Sequence, residues 1–204
     1  WEQEWQRLAG QLARTVISTA KNRRLNPQVL LDLVGEGGNQ FLRIGAQIYQ
    51  LYQQQVQTIG GLDFDDLVWM AVDLLEHNPD LQLRLRRRWP VVLEDEAQDS
   101  VPLQEALLGL LTGEGGNWIR VGDPNQAIMS TFTAADPRFL RRFLEREEVR
   151  AIEMAVSGRC APRILGLANR LVGWTCQQHP LEAVRSLAFR LQHIQATDPG
   201  DPQQ

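Results

Sequence analysis

The sequence has very few of the residues that build covalent cross-links or common phosphate-binding loops. Its 204 residues include two cysteines, Cys160 and Cys176, and neither has the spacing of a zinc site or a disulfide framework. Lys21 is the only lysine, and no Gly-x-x-x-x-Gly-Lys-Ser/Thr loop occurs anywhere in the chain. We therefore expect reduced thiols, as in a cytoplasmic protein, and no phosphate loop of that kind among these residues.

Long apolar runs are also missing. No apolar stretch approaches the roughly 20 residues that span a bilayer, and no signal peptide is recognisable, so we expect no membrane partner. The formal net charge is −4, which means that any nucleic-acid binding has to depend on local basic patches. With 43% hydrophobic and 23% charged residues, the composition is that of an ordinary globular protein.

Residues 1 to about 60 are predicted to be helical. Apolar residues recur at three- and four-residue intervals along a first helix, which predicts one buried face: Trp1, Trp5, Leu8, Leu12 and Val16. After a loop, a second helix has a similar apolar face: Phe41, Ile44, Ile48, Leu51 and Val56. No residue pattern in this part of the chain indicates chemistry.

Three aspartates mark the start of a further helix, in the segment Asp-Phe-Asp-Asp-Leu. Asp63 is a good N-cap, and Asp65 and Asp66 suit the positive end of the helix dipole. Asp66 also stands three residues after the cap, the position used in a capping box. The pattern favours helix capping, with metal binding as the alternative.

An apolar run, Val91–Leu93, leads directly into Glu94, Asp95 and Glu96. Such a run predicts a strand buried on both faces, as in parallel α/β sheets, with the carboxylates at its C-terminal end. An Asp-Glu pair there can hold magnesium with one carboxylate and polarise a water with the other. An acidic turn that merely ends a core strand is the alternative, and this stretch alone does not separate the two.

A second short strand, Trp118–Val121, is followed at once by the polar segment Gly-Asp-Pro-Asn-Gln. Ala151–Met154 is predicted as a third strand, with Ser-Gly-Arg at 157–159 after it and an amphipathic helix over Ala161–Trp174. Alternating strands and helices predict an α/β fold with a parallel sheet and crossover helices.

Four segments, taken in this order, resemble the UvrD/Rep/PcrA helicases of superfamily 1: DFDDL, VVLEDEAQDS, VGDPNQAI, and a Ser-Gly-Arg that precedes an amphipathic helix. Val16–Pro27 also resembles a stretch of that family's helical insertion domain. The likeness extends to about Val172. It implies a partial P-loop NTPase (RecA-like) parallel sheet with an all-helical insertion subdomain.

The resemblance also implies an organisation and a set of ligands. Residues 1–60 would be part of the insertion subdomain, 61–148 part of the first motor domain, and 149–204 the start of the second. The family's activity is ATP hydrolysis with Mg²⁺, coupled to movement on single-stranded DNA and separation of duplex DNA. A monomeric cytoplasmic protein is implied.

Site residues follow from the same resemblance. Asp95 would be the Walker-B aspartate on magnesium, and Glu96 the base that orients the attacking water. Gln126 would sense the γ-phosphate and link it to DNA, and Arg159 would be the arginine finger. Phe132 is the candidate for stacking on a base, with a role in the core as the alternative.

The sequence departs from the family pattern at three points. Met129–Thr133 replaces the usual aromatic and Trp-Arg-Gly, and Ser-Gly-Arg-Cys stands where the family usually has Asn-Tyr-Arg-Ser. The missing phosphate loop, together with a first residue other than Met, leads us to expect an internal fragment of a longer helicase. A helicase-like scaffold that does not hydrolyse ATP is the alternative; another kind of α/β ATPase is less consistent with the Gly-Asp-Pro-Asn-Gln segment.

Overall fold

The structure, a computed structural model, describes residues 1–127 and 134–197, so that Phe132 lies outside the described residues. The helices are α1 (Glu2–Asn22), α2 (Pro27–Val34), α3 (Gln40–Thr58), α4 (Phe64–Glu76), α5 (Pro79–Arg88), α6 (Pro102–Thr112), α7 (Arg138–Leu144), α8 (Pro162–Gln178) and α9 (Glu182–Leu187). The strands are β1 (Val91–Glu94), β2 (Asn117–Arg120), β3 (Val156–Ser157) and β4 (Gln195–Ala196). The fold is mixed α/β and mostly helical, with two small parallel sheets.

The chain divides into two compact units. The first contains Trp1–Gly122 and Ala127–Leu140, and the second contains Asp123–Gln126 and the chain from Arg141 onward. Over the described ranges, none of the helices combines the length and the apolar character that crossing a bilayer requires. The assignment of these residues to an insertion subdomain and two motor domains remains a prediction.

In the first unit, β1 and β2 pair in parallel, as the sequence predicts. Val91 stands opposite Asn117 and Glu94 opposite Arg120, with α6 as the crossover between the strands. The pairing continues one step beyond the strands, because the Val121 amide donates to the Glu94 carbonyl at 2.8 Å. The residues that follow β1 and β2 are thereby held side by side.

The prediction that this strand is buried on both faces is wrong for this chain. Side chains alternate across a strand, so Val91 and Leu93 share one face, and Leu93 remains 73% exposed there. Ile119 of the neighbouring strand and Val121 just beyond it are each 51% exposed. The opposite face holds the less accessible side chains of β1 and β2, and α6 contacts β1.

The predicted apolar face of α1 is also only partly buried. Trp1 is 97% and Trp5 64% exposed, and Val16 is the member of the predicted stripe that is buried. Burial begins where α1 meets α3: a Cβ at Gly45 would lie 2.7 Å from a methyl group of Val16, so glycine permits this close approach. On α3 the predicted stripe is likewise displaced, because Phe41 and Leu51 are each 66% exposed.

The sole lysine lies at the centre of the junction between α1, α3 and α4. Lys21 has no exposed side-chain surface, and its Nζ lies 2.6 Å from Asp63 and 2.7 Å from Asp66. The ammonium group also lies over the rings of Tyr49 and Tyr52, at 5.9 and 5.2 Å from their centroids. Asp63 and Asp66 form a reciprocal capping box at the start of α4, which supports the capping interpretation of these aspartates.

Removing the Lys21 charge should destabilise the first unit. Lys21→Met leaves the Asp63 and Asp66 carboxylates without their cation, and we expect a loss of about 3 kcal/mol in the free energy of unfolding. The exposed pair between Arg24 and Glu76, also 2.7 Å apart, is the control, because Arg24→Met should cost less than about 1 kcal/mol. Urea unfolding of the 204-residue chain measures both; equal losses would contradict a central role for Lys21.

The tyrosines of this junction predict a loss of stability at alkaline pH. Burial and the hydrogen bond to Asp63 raise the pKa of Tyr52 to about 12. Burial and the charge of Asp66 also raise the pKa of Tyr49. Because an unfolded tyrosine releases its proton near pH 10, the folded state loses stability as pH rises from about 10 towards 12. Tyr52→Phe should flatten that loss in a pH series of urea unfolding curves; an unchanged slope would contradict the assignment.

In the second unit, the third strand lies later than the sequence predicts. Residues Ala151–Met154 form no strand, and Ile152 and Met154 are 75% and 81% exposed. Backbone pairing begins where the Gln195 amide donates to the Ala155 carbonyl at 2.8 Å, and β3 then pairs in parallel with β4. The strand therefore forms where a partner segment is available.

Candidate functional site

Two adjacent exposed carboxylates follow β1. The side chains of Asp95 and Glu96 are both accessible to solvent, and Asp95 accepts a hydrogen bond from the Glu96 amide at 2.9 Å. Glu96 has a left-handed backbone, with φ of 52°, which is uncommon for a residue other than glycine and costs about 1 kcal/mol or more. Within residues 1–127 and 134–197 no ion pair involves either carboxylate.

These carboxylates have the chemistry of ligands for a magnesium ion that is also bound by phosphate oxygens. Magnesium prefers oxygen ligands and is usually bound through one or two carboxylates, with water and substrate phosphates completing its shell. Asp95 offers such a ligand. Among the described residues no group of three or more His, Cys, Asp or Glu side chains could hold a metal.

The neighbouring Glu94 has a different environment. Its carboxylate pairs with Arg120 at 2.7 Å, accepts from the Trp118 indole at 3.0 Å, and contacts the Ser100 hydroxyl. Arg120 has no exposed side-chain surface and also pairs with Glu105 at 2.8 Å. Glu94 thus stabilises the packing of β1, β2 and α6.

The order of residues along β1 and β2 explains why Glu94 is ion-paired whereas Glu96 is exposed. Glu94 alternates with Leu93 along β1, and the parallel register places it opposite Arg120. Opposite charges at facing positions of paired strands attract each other. The sequence analysis missed this pair, because it depends on a strand register that the motif pattern alone does not supply.

Gln126 belongs to the second unit, in the 3₁₀ turn Pro124–Gln126. Its side chain is exposed, and its side-chain amide donates to the Asp123 carboxylate at 3.0 Å. Its backbone amide donates to the Asp123 carbonyl at 2.9 Å. Asn125 makes a two-way hydrogen bond with the Arg190 backbone, at 2.7 and 2.9 Å. The turn is therefore attached to the extended segment that leads into β4.

A second asparagine holds the same extended segment. Asn169 on α8 accepts from the Ile194 amide at 3.0 Å and donates to the Ile194 carbonyl at 2.7 Å. An asparagine side chain can imitate one peptide group of a neighbouring strand, because it offers one acceptor and two donors. The sequence analysis missed the structural role of both asparagines.

Arg159 lies two residues beyond β3 and is exposed. Its backbone amide donates to the Ser157 hydroxyl at 3.4 Å. Over the ranges that the structure describes, no carboxylate forms an ion pair with its guanidinium group. The structure thus brings Asp95 and Glu96 together in the first unit, whereas Gln126 and Arg159 belong to the second.

Comparisons with known proteins agree on one family. The family model for the UvrD/REP helicase N-terminal domain matches residues 2–147. The chain is 31% identical over 175 residues to the ATP-dependent DNA helicase UvrD1 of Mycobacterium bovis, and 29% identical over 165 residues to the ATP-dependent DNA helicase Rep of Escherichia coli. It is 27% identical over 165 residues to the ATP-dependent DNA helicase PcrA of Leuconostoc citreum. Each match covers 81% of this chain but only 22% to 24% of the relative.

Proposed function

The chain belongs to the UvrD/REP helicase family, and on that premise we propose that it is part of an ATP-dependent DNA helicase. In this proposal, β1 and β2 belong to a RecA-like parallel sheet of the P-loop NTPase kind. Residues 1–60 form part of an insertion subdomain, 61–148 part of the first motor domain, and 149–204 the start of the second. The complete protein would couple ATP hydrolysis to movement on single-stranded DNA and to separation of duplex DNA.

One observation carries the proposal for the hydrolytic site. Asp95 and Glu96 stand exposed at the carboxyl end of a parallel strand and form no ion pair within the described residues, whereas Glu94 next to them pairs with Arg120. An acidic turn with only a structural role has no need of two exposed carboxylates and a left-handed residue. A ligand-binding turn requires accessible acceptors at this end of the strand.

Each proposed residue has a distinct task. Asp95 holds Mg²⁺, and the bound ion would neutralise charge on the phosphates. Glu96 accepts a hydrogen bond from the attacking water and thereby orients it. Gln126 contacts the γ-phosphate. Arg159 donates to the phosphate oxygens, because guanidinium stays charged and offers a planar fork of donors.

A helicase-like scaffold without ATP hydrolysis is the second candidate. It is favoured by one observation, that these 204 residues contain no Gly-x-x-x-x-Gly-Lys-Ser/Thr loop. The chain spans about a quarter or less of the curated relatives it matches, so a test requires the full-length protein. Full-length protein that binds single-stranded DNA without any DNA-stimulated ATP turnover would favour the scaffold.

Asp95→Asn is the variant that tests the metal-binding role. In the full-length protein it should weaken magnesium-dependent nucleotide binding at least about 10-fold, since even outer-shell partners of a metal typically contribute that much. Asp80→Asn, which alters an exposed aspartate on α5, is the matched control and should leave binding unchanged. Calorimetric titration with and without magnesium measures this difference in nucleotide binding. Separately, the isolated 204-residue chain should show no ATP turnover. Equal binding by both variants would remove Asp95 from the site.

A further inference from the structure

The exposed Glu96 carboxylate is held by a buried amide. Gln98 lies in the 3₁₀ turn Ala97–Asp99 and is only 2% exposed. Its Nε2 donates to the Glu96 Oε2 at 2.7 Å. Hydrogen bonds to charged groups are stronger than those between neutral groups, so this contact selects one orientation of the Glu96 side chain.

The Oε1 atom of the Gln98 amide lies close against the backbone that follows β2. A Cβ at Gly122 would lie 2.5 Å from the Gln98 Oε1 and 3.0 Å from the Ala97 nitrogen. The Ala97 amide in turn donates to the Val121 carbonyl at 3.0 Å. Gly122 does not have the left-handed φ that would itself require glycine, so the space beside Gln98 is what excludes a side chain here.

We infer that Gln98 is a positioning residue, which orients the Glu96 carboxylate and makes that orientation depend on Gly122. The inference rests on the proposed role of Glu96 as the base. A polar side chain buried to this degree costs stability unless it is hydrogen-bonded. Gly122 lies two residues beyond β2 and directly before the Asp123–Gln126 segment, so a displacement of its backbone would press on the Gln98 amide and, through it, on Glu96.

Two variants of the full-length protein test the inference from opposite sides. Gln98→Met keeps the length of the side chain but removes the Nε2 donor to Glu96. Gly122→Ala keeps that donor but places a methyl group in the space that the Gln98 amide occupies. Each should lower DNA-stimulated ATP turnover roughly 10- to 100-fold, the scale of one hydrogen bond to a charged group, at unchanged nucleotide KM. Gln104→Met is the control, because Gln104 is exposed and its Oε1 only accepts from the Val101 amide at 3.2 Å.

Combination with Glu96→Gln separates positioning from general damage. If Gln98 acts through Glu96, Gln98→Met should cause no further loss of turnover in the Glu96→Gln background; a second full loss overturns the inference. Wild-type turnover by both Gln98→Met and Gly122→Ala, with Glu96→Gln inactive, also overturns it and leaves the proposed function standing. An active Glu96→Gln instead overturns the proposed function. If Gln98→Met fails to fold in a thermal melt, Gly122→Ala decides alone, on the same criteria.

Discussion

Glu96→Gln in the full-length protein should reduce DNA-stimulated ATP turnover by about 100- to 10,000-fold, the usual contribution of a positioned general base. ATP and DNA binding should remain nearly intact, because the amide keeps the size of the side chain and its solvent-exposed position after β1. What it loses is the negative charge and one acceptor for the attacking water. Turnover and binding measured on the same preparation separate these two effects.

Glu94 provides the informative comparison. It is the carboxylate directly before Asp95 and Glu96, but it is occupied by Arg120, Trp118 and Ser100. Glu94→Gln should therefore lower the stability of the first unit, since Arg120, which has no exposed side-chain surface, would lose its charged partner on β1. Near-full turnover in Glu96→Gln would show that the base lies elsewhere in the protein.

Arg159→Ala should lower ATP turnover by about 1,000-fold or more, the usual effect of losing an arginine finger. DNA binding should change little. Arg159→Lys should recover only part of the loss, because lysine keeps the charge but lacks the planar fork that matches phosphate oxygens. Arg163→Ala, at another exposed arginine four residues further along, is the matched control and should retain turnover.

The exposed guanidinium of Arg159 makes this a sharp test. Over the described ranges it forms no ion pair that its loss would break. A large fall in stability is therefore not expected, and a thermal melt checks this. Wild-type turnover in Arg159→Ala would leave this chain without an identified arginine finger.

Local patterns in the sequence predicted the elements near the site. The capping box of Asp63 and Asp66 and the parallel pairing of β1 with β2 depend on residues a few positions apart or on the order of elements along the chain. Such signals survive in a single sequence because the same short-range sterics and hydrogen bonds act in every fold.

Burial was predicted less well, for a physical reason. The spacing of Trp1 and Trp5 says which side of α1 is apolar, and the run at Val91–Leu93 says that β1 is apolar, but neither says whether another element covers it. The displaced third strand has the same cause, since its position is set by a partner some 40 residues away, where the sequence signal is weak. Pairing of Lys21 with Asp63 across 42 residues is equally invisible in the sequence.

The burial of Lys21 has a practical consequence. A protease that cleaves only after lysine has one bond to cut in all 204 residues, between Lys21 and Asn22, at the end of α1. Both side chains are buried, at 0% and 3% exposure, so cutting requires that this junction open first. The digestion rate therefore depends on how often the chain unfolds locally around the Lys21–Asn22 bond. The rate at which the two cleavage fragments appear on a gel therefore reports the local unfolding of the α1, α3 and α4 junction.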